Sequence, residues 1–403
     1  INKEKINILL IGMGGGAADG PELTDTIILT SLNTKKQTVS MLSIPRDLYV
    51  TYPSGGGGKI NELYRLGLKA LPENKTTKFL EDKISEITGE KIDYYFNIDF
   101  TGFSKFIDLI DGIEIDVPED LVDTEYPDWN WGYTTFSVKK GLQTFNGETA
   151  LKYARSRHST SDFDRSLRQQ LVLKAVKDKL FNLKYIANPS KISEFYNTLN
   201  SNIKTNLGIK EIISFARFIK EIPNENIFSF NLNDSCFQGI NFCRAGGFLY
   251  NPERALFGGA AVLLPDSATS LNVSNYSVII KFADIIFNYS EIFKENYEIN
   301  FINSTKSNGL ANKFAIMLKK YGFNIPEKNS IFSTKDKFKK TQTYYLWDSV
   351  NKIGVDPSSK TLEMLGQFIF TDQTPVTQAK YSKSLTSKIE IVLGDDYKLF
   401  LNN

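Results

Sequence analysis

Four arginines fall within fourteen residues, in the run Arg155-Ser156-Arg157-His158 … Asp162-Phe163-Asp164-Arg165-Ser166-Leu167-Arg168-Gln169-Gln170, with no lysine among them. A guanidinium is a planar fork that grips two phosphate oxygens at once, whereas an ammonium is a point charge. Apolar residues at helical spacing, from Leu167 through Leu171, Val172 and Val176 to Leu180, predict an amphipathic helix over Arg165–Leu183. Arg165 and Arg168 lie three apart on one face of it, with Gln169 beside them. They would occupy the first turn, where the helix dipole disfavours cations. A bound anion reverses that conflict, because free N–H groups and guanidiniums then point at it together. A local rule broken where a ligand would repair it marks an anion site. The alternative is a solvated basic face balanced by Asp162 and Asp164, one of which serves as helix N-cap. His158 is assigned no role. Each charged hydrogen bond to a diphosphate contributes roughly 1.5–3 kcal/mol, offset in part by desolvation of the ions.

Other residues are suggestive only in company. Asp25, between Thr24 and Thr26 at the mouth of a strand, is either a turn residue bonding its own backbone or a carboxylate for Mg²⁺. Magnesium takes one or two carboxylates and fills its remaining positions with phosphate and water. Ser43-Ile44-Pro45-Arg46-Asp47 ends an apolar strand on a charge, and Lys59 and Asn61 follow a Gly-rich loop. The run Gly12-Met13-Gly14-Gly15-Gly16-Ala17 matches a dinucleotide fingerprint, but no helix fits before Asp25, and that motif needs one.

The whole chain bounds the function. Its 403 residues suggest two or three domains, 41% of them are hydrophobic, and the net charge is +2. A core is therefore expected, and a general nucleic-acid coat is disfavoured. No run of eighteen apolar residues forms a transmembrane helix, and a signal or anchor segment preceding Ile1 is expected to have been removed. One histidine makes a zinc site improbable. Cys236 and Cys243 are either a disulfide closing a short loop or two thiols.

Periodicity places the elements that must hold the candidate residues. Strands are expected at Ile6–Ile11, Thr26–Ser31, Val39–Leu42, Tyr94–Asp99 and Ile113–Val117. Helices are expected at Asn61–Leu71, Lys78–Thr88, Thr101–Ile110, Gly147–Ala154, Ser190–Ser201, Ile209–Glu221 and Tyr276–Phe287. Asp120–Tyr133 is acidic and aromatic and is expected as an exposed loop or hairpin, and Phe242–Asp266 as irregular. A boundary near Asn288–Asn296 divides a domain of residues 1–290 from one of 296–403. The second follows the order βαββαβ, with strands at Tyr297–Ile302, Gly322–Ile325, Thr343–Trp347 and Ile389–Leu393 and helices at Asn308–Tyr321 and Lys360–Leu365.

These residues in this order resemble the LytR-CpsA-Psr family. The motifs are Asp25-Thr26, Ser43-Ile44-Pro45-Arg46-Asp47, Lys59-Ile60-Asn61 and Arg155-x-Arg157 … Asp162-Phe163-Asp164-Arg165-x-x-Arg168-Gln169-Gln170. The likeness covers residues 5–185 and more weakly continues to 290. The tail resembles the LytR C-terminal domain through Asn303-Ser304, Asn308-Gly309-Leu310-Ala311, Tyr321-Gly322-Phe323 and Val392-Leu393-Gly394-Asp395-Asp396-Tyr397. The resemblance implies an α/β fold, a three-layer α/β/α domain with a central mixed sheet and a hydrophobic tunnel for a polyprenyl chain, plus a small α+β domain. It implies a phosphotransferase that moves a phosphoglycan from undecaprenyl diphosphate to a peptidoglycan hydroxyl outside the cell membrane, held there by an anchor and assisted by Mg²⁺.

Carried over by residue, Asp25 is the metal carboxylate and Asp162 orients or deprotonates the attacking hydroxyl. Arg46, Arg155, Arg157, Arg165 and Arg168 hold the diphosphate, with Arg157 and Arg165 at the reacting centre. Gln169, Lys59 and Asn61 support the phosphate site. Three positions depart from the family pattern: Gly14 where an acid is common, Leu23 where arginine is frequent, and Asp164 where glycine is usual. With Gly14 and Leu23, either metal binding is weakened or Asp19 or Glu22 substitutes, and Asp164 would weaken the grip on phosphate. Two other readings stand beside this one: a lipid-diphosphate hydrolase using the same grip with water as acceptor, and a non-catalytic lipid-glycan-binding protein of the wall, which the altered loop keeps in play.

Overall fold

The computed structural model describes residues 3–15, 20–127, 132–156, 162–182, 189–233, 247–327, 330–381 and 388–400. The chain divides into two compact units, one of residues 1–233 with 250–283 and one of residues 234–249 with 284–403.

The first unit opens with strands β1 (Lys5–Met13), β2 (Thr24–Asn33) and β3 (Thr38–Ser43), then a ribbon of β4 (Tyr49–Thr51) and β5 (Gly57–Lys59). Helices α1 (Leu63–Ala70) and α2 (Lys78–Thr88) lead to β6 (Tyr94–Asp99), α3 (Phe100–Leu109) and β7 (Ile113–Val117). The hairpin of β8 (Leu121–Pro127) and β9 (Tyr133–Val138) follows, then β10 (Gly141–Phe145), α4 (Gly147–Arg155), α5 (Asp162–Asn182) and α6 (Pro189–Leu199). After β11 (Ile203–Thr205), α7 (Ile209–Glu221) and β12 (Ile227–Asn231) come the short strands β13 (Leu249–Tyr250) and β14 (Leu264–Pro265), and α8 (Ser277–Asn288).

The central sheet has the order β11-β6-β1-β2-β3-β12 and is mixed. β1 runs parallel to β6 and antiparallel to β2, while β12 runs parallel to β3. β1 is buried on both faces, as a central strand between helical layers must be. Ile6 and Ile8 pack on one face with Phe215 of α7, Ile222 just after it and Leu173 of α5, and Leu9 and Ile11 are buried on the other. A second core joins α3, α4 and α5 to β7–β10 through Ile107, Ile113, Phe145, Tyr153 and Val172. Asp99 caps α3 by accepting from the Gly102 N–H at 2.7 Å, and Asn146 caps α4 by accepting from the Thr149 N–H at 2.9 Å, each satisfying an orphan donor. Because β2 follows β1 antiparallel, the glycine-rich turn between them is no strand-to-helix crossover of the dinucleotide kind.

The second unit continues with α9 (Glu291–Glu295), β15 (Ile299–Asn303), α10 (Leu310–Lys320), β16 (Ile331–Ser333), β17 (Gln342–Asp348), β18 (Ile353–Gly354), α11 (Lys360–Phe368), β19 (Gln373–Val376) and β20 (Ile389–Leu393). Its sheet has the order β16-β15-β20-β17-β18, with β19 on β17.

Three expectations need correction. Gly322–Ile325 is not a strand: its alternation comes from Phe323, which packs edge-on against Phe368 with centroids 5.7 Å apart, and the ladder position belongs to β16. Asp120–Tyr133 is not wholly exposed, because the hairpin turns Asp123 and Tyr126 inward. Helix α5 starts at Asp162 rather than Arg165, which puts two acids in the first turn and removes the dipole conflict the arginines were expected to create.

Candidate functional site

A cavity of about 530 Å³ lies against the central sheet, walled by α3, α5, α6 and α7. Its polar wall comes from one edge of the sheet. Register places the C-terminal end of β1 beside that of β6 (Met13 opposite Asp99) and the start of β2 beside the end of β3 (Ile28 opposite Ser43). Ligands of open α/β sheets bind outside the carboxyl ends of their strands, where loops replace the ladder. Helix α5 begins at this edge. The Gln170 amide nitrogen reaches Ser43 Oγ at 2.9 Å, the Phe230 carbonyl at 3.0 Å and Asn231 Oδ1 at 3.2 Å, which ties α5 to the ends of β3 and β12.

From there α5 lines the cavity with Arg165 and Gln169 first, then Val172, Val176 and Leu180. The separation from Arg165 to Leu180 is about 22 Å along a helix rising 1.5 Å per residue. Phe96 and Ile98 of β6, Phe103 and Phe106 of α3, and Phe195 and Leu199 of α6 complete an apolar barrel. The shape is a greasy slot with a charged end.

The charged end is assembled around an irregularity in the sheet. In the β1–β2 ladder Gly12 pairs with Thr26 and Met13 with Thr24, so Asp25 is the extra residue of a β-bulge. A bulge re-aims its side chain, and the Asp25 carboxylate meets the Arg46 guanidinium beside the cavity. Arg46 Nε lies 3.6 Å from Asp47 Oδ2, and Asp47 Oδ1 accepts from Lys59 Nζ at 2.5 Å. Asn61 braces the same region through its backbone, its N–H donating to the Arg46 carbonyl at 3.3 Å and its carbonyl accepting from Thr24 Oγ at 3.3 Å.

Across the cavity, Arg155 at the end of α4 packs over the Phe100 ring at 4.2 Å and donates from Nη1 to Tyr126 Oη at 3.1 Å. Burial pushes the Tyr126 phenol up, and Arg155 only partly opposes this, so the hydroxyl stays neutral.

The expected residues therefore separate by position. Asp25, Arg46, Arg155, Arg165 and Gln169 all line the one cavity. Lys59 and Asn61 lie outside that lining and act on Arg46 through Asp47 and the backbone. Arg168 also lies outside it. Its Nε donates to the Tyr153 carbonyl at 2.9 Å and its Nη2 to the Ser156 carbonyl. A buried guanidinium on the orphan carbonyls of a helix C-terminus is a cap, and burial draws its pKa down. Arg157, His158, Asp19, Cys236 and Cys243 lie outside the described residues, as does the side chain of Asp162.

Sequence reasoning passed over Asp99 and Asp123 in the cavity wall. Asp99 had a signal, an acid just before a helical period. Asp123 had none, since the strand that turns it inward beside Leu121 lies in a stretch expected only as an exposed loop or hairpin.

A Mg²⁺ site needs hard oxygen donors, and Asp25 supplies one carboxylate with a side chain 30% exposed at the charged end. That fits an ion carried mainly by substrate phosphates and water. Among the described residues no group of three or more acidic, histidine or cysteine side chains forms an all-protein cage.

The model of the LytR_cpsA_psr family matches residues 1–250, and that of the LytR cell envelope-related transcriptional attenuator matches residues 296–397. The chain is 31% identical over 226 residues to the polyisoprenyl-teichoic acid–peptidoglycan teichoic acid transferase TagT of Bacillus subtilis (strain 168), a match covering 55% of this chain and 66% of that protein. It is 31% identical over 241 residues to TagV of the same organism, a transferase of the same description, covering 58% of each. The matches thus span less than two thirds of these curated relatives. Among solved structures, TagT bound to LIIa-WTA aligns with a TM-score of 0.52 at 25% identity, covering 71% of this chain and 92% of that one.

Proposed function

The chain belongs to the LytR-CpsA-Psr family, and from that premise we propose that it transfers a phosphoglycan from a polyprenyl diphosphate carrier to a cell-wall acceptor, a peptidoglycan hydroxyl. One observation carries the proposal: a single cavity joins an apolar barrel along α5 to Arg46, Arg155 and Arg165 at one end. A lipid tail in that barrel gains about 0.8 kcal/mol per buried CH₂, and the guanidiniums supply bidentate donors for the diphosphate. TagT and TagV, whose names give transfer of teichoic acid from a polyisoprenyl carrier to peptidoglycan, support the same reading.

In the proposed step the acceptor oxygen attacks the phosphorus that carries the glycan. A new P–O bond forms, the bridging P–O bond breaks, and polyprenyl phosphate leaves with the bond's electron pair. Asp162, which opens α5, takes the hydroxyl proton. Arg46, Arg155, Arg157 and Arg165 neutralise the charge that builds on the leaving phosphate. Gln169 steadies the phosphate from α5, while Arg168, Lys59 and Asn61 keep the arginine-bearing segments in place. Magnesium, held by Asp25 together with substrate phosphates, would supply further charge neutralisation. The substrate places the reaction outside the cell membrane beside its lipid carrier, with attachment through a segment preceding Ile1 as part of the same proposal. Among the described residues no helix is long and apolar enough to cross a membrane.

Incubation with a lipid diphosphate-linked glycan and peptidoglycan fragments tests the proposal. Glycan phosphate on the acceptor is the expected product. Release of lipid phosphate without acceptor product would favour hydrolysis, and binding without turnover a scaffold.

A further inference from the structure

On an unbroken strand, residues three apart point to opposite faces. In β8 they do not. Asp123 pairs with Phe136 and Tyr126 with Thr134, so Thr124 and Glu125 together oppose the single residue Thr135. This bulge resets the alternation. Leu121, Asp123 and Tyr126 are all buried, while Val122, Thr124 and Glu125 are exposed. The two polar residues turned inward both reach the segment that carries the arginines. Asp123 and Ser156 are each 1% exposed. Ser156 Oγ donates to Asp123 Oδ2 at 2.6 Å, and the Glu125 N–H donates to Asp123 Oδ1 at 3.1 Å. Tyr126 accepts from Arg155, and the Arg155 guanidinium lies 5.6 Å from its ring centroid.

Ser156 stands between Arg155 and Arg157 in the chain, just where α4 ends. Its side chain is held by Asp123 from the hairpin, and its carbonyl is held by Arg168 from α5. Burying a carboxylate costs free energy that an apolar residue at the same place would not. The hairpin core, built on Leu121, Tyr126 and Phe136, does not need the charge to pack.

We propose that Asp123 and Tyr126 are positioning residues of the diphosphate site. The bulged β8–β9 hairpin uses them to fix the backbone at Ser156 and the guanidinium of Arg155 against the cavity. This rests on the functional reading above and adds to it a second wall that is not part of the arginine motif.

The test measures binding of farnesyl diphosphate by calorimetry and the KM for lipid donor and acceptor separately, all on the full chain. Asp123→Ala is expected to weaken farnesyl diphosphate binding at least tenfold and to raise the donor KM while leaving the acceptor KM unchanged. Asp123→Asn keeps an oxygen to accept from Ser156 and is expected to recover part of the loss. Ser156→Ala probes the same contact from the other side should Asp123→Ala fold poorly, and the double variant is expected to be no weaker than the weaker single one. Tyr126→Phe keeps the ring, loses the hydroxyl and is expected to weaken binding at least threefold. Wild-type affinity in Asp123→Ala and Ser156→Ala, or losses that simply add in the double variant, would overturn the inference while leaving the functional reading standing. Failure of the wild-type chain itself to bind farnesyl diphosphate would overturn both.

Discussion

Gln170 carries the docking of α5, so its replacement tests how the cavity is built. The residue is 5% exposed and its amide nitrogen faces three acceptors on β3 and β12. An amide nitrogen has two hydrogens, so two of those acceptors are fully served at a time. Gln170→Ala removes two net bonds of about 1 kcal/mol each and leaves a buried acceptor unpaired at a further cost of about 1–3 kcal/mol, some 3–5 kcal/mol in total. Gln170→Glu is expected to cost more, because an acceptor-only carboxylate would face three oxygens. Hydrogen exchange of the α5 amides reads the local opening free energy directly in a chain of two units. Farnesyl diphosphate affinity should fall in the same variants, because Arg165 and Gln169 ride on α5. A change in α5 protection below about 0.5 kcal/mol, the scale of an ordinary surface substitution, would refute the reasoning. So would a glutamate variant as well protected as the wild type.

Arg168→Ala is expected to lower stability to urea by about 3–6 kcal/mol, since two charged hydrogen bonds to the end of α4 are lost; an unchanged midpoint would return Arg168 to the role of ligand contact. Asp25→Ala is expected to abolish any Mg²⁺ dependence of donor turnover, and chelator titration of both proteins checks it, with a wild type indifferent to chelator ruling out the metal role. Gly15 has φ +64°, and a Cβ there would stand 2.6 Å from Asp99 Cβ. Gly15→Ala should therefore cost about 1–2 kcal/mol by backbone strain and more by displacing Asp99, which a thermal denaturation series would show.

Much of the fold was legible because its signals are local. The strands Tyr94–Asp99, Ile113–Val117 and Ile389–Leu393 and the helices Lys78–Thr88 and Ile209–Glu221 have the predicted bounds, each set by period and by nearby caps or breakers. The arginine motif pointed to the right stretch of chain, and Asp25, Arg46, Arg155, Arg165 and Gln169 share a cavity that no spacing rule could have joined across 145 residues.

What was missed is non-local. The start of α5 depends on how α4 ends, which assigns Arg168 to the Tyr153 and Ser156 carbonyls. The inward turn of Tyr126 depends on a bulge fixed by cross-strand pairing. The false strand at Gly322–Ile325 arose because an aromatic plug under α11 alternates as a strand does.

A crystal structure of the chain soaked with a polyprenyl diphosphate is the most direct measurement. Hydrocarbon density running along α5 from Arg165 toward Leu180, with phosphate oxygens in hydrogen-bond range of Arg46, Arg155 and Arg165, is the predicted result. A lipid seated elsewhere, or a filled barrel whose phosphates turn away from those guanidiniums, would contradict it.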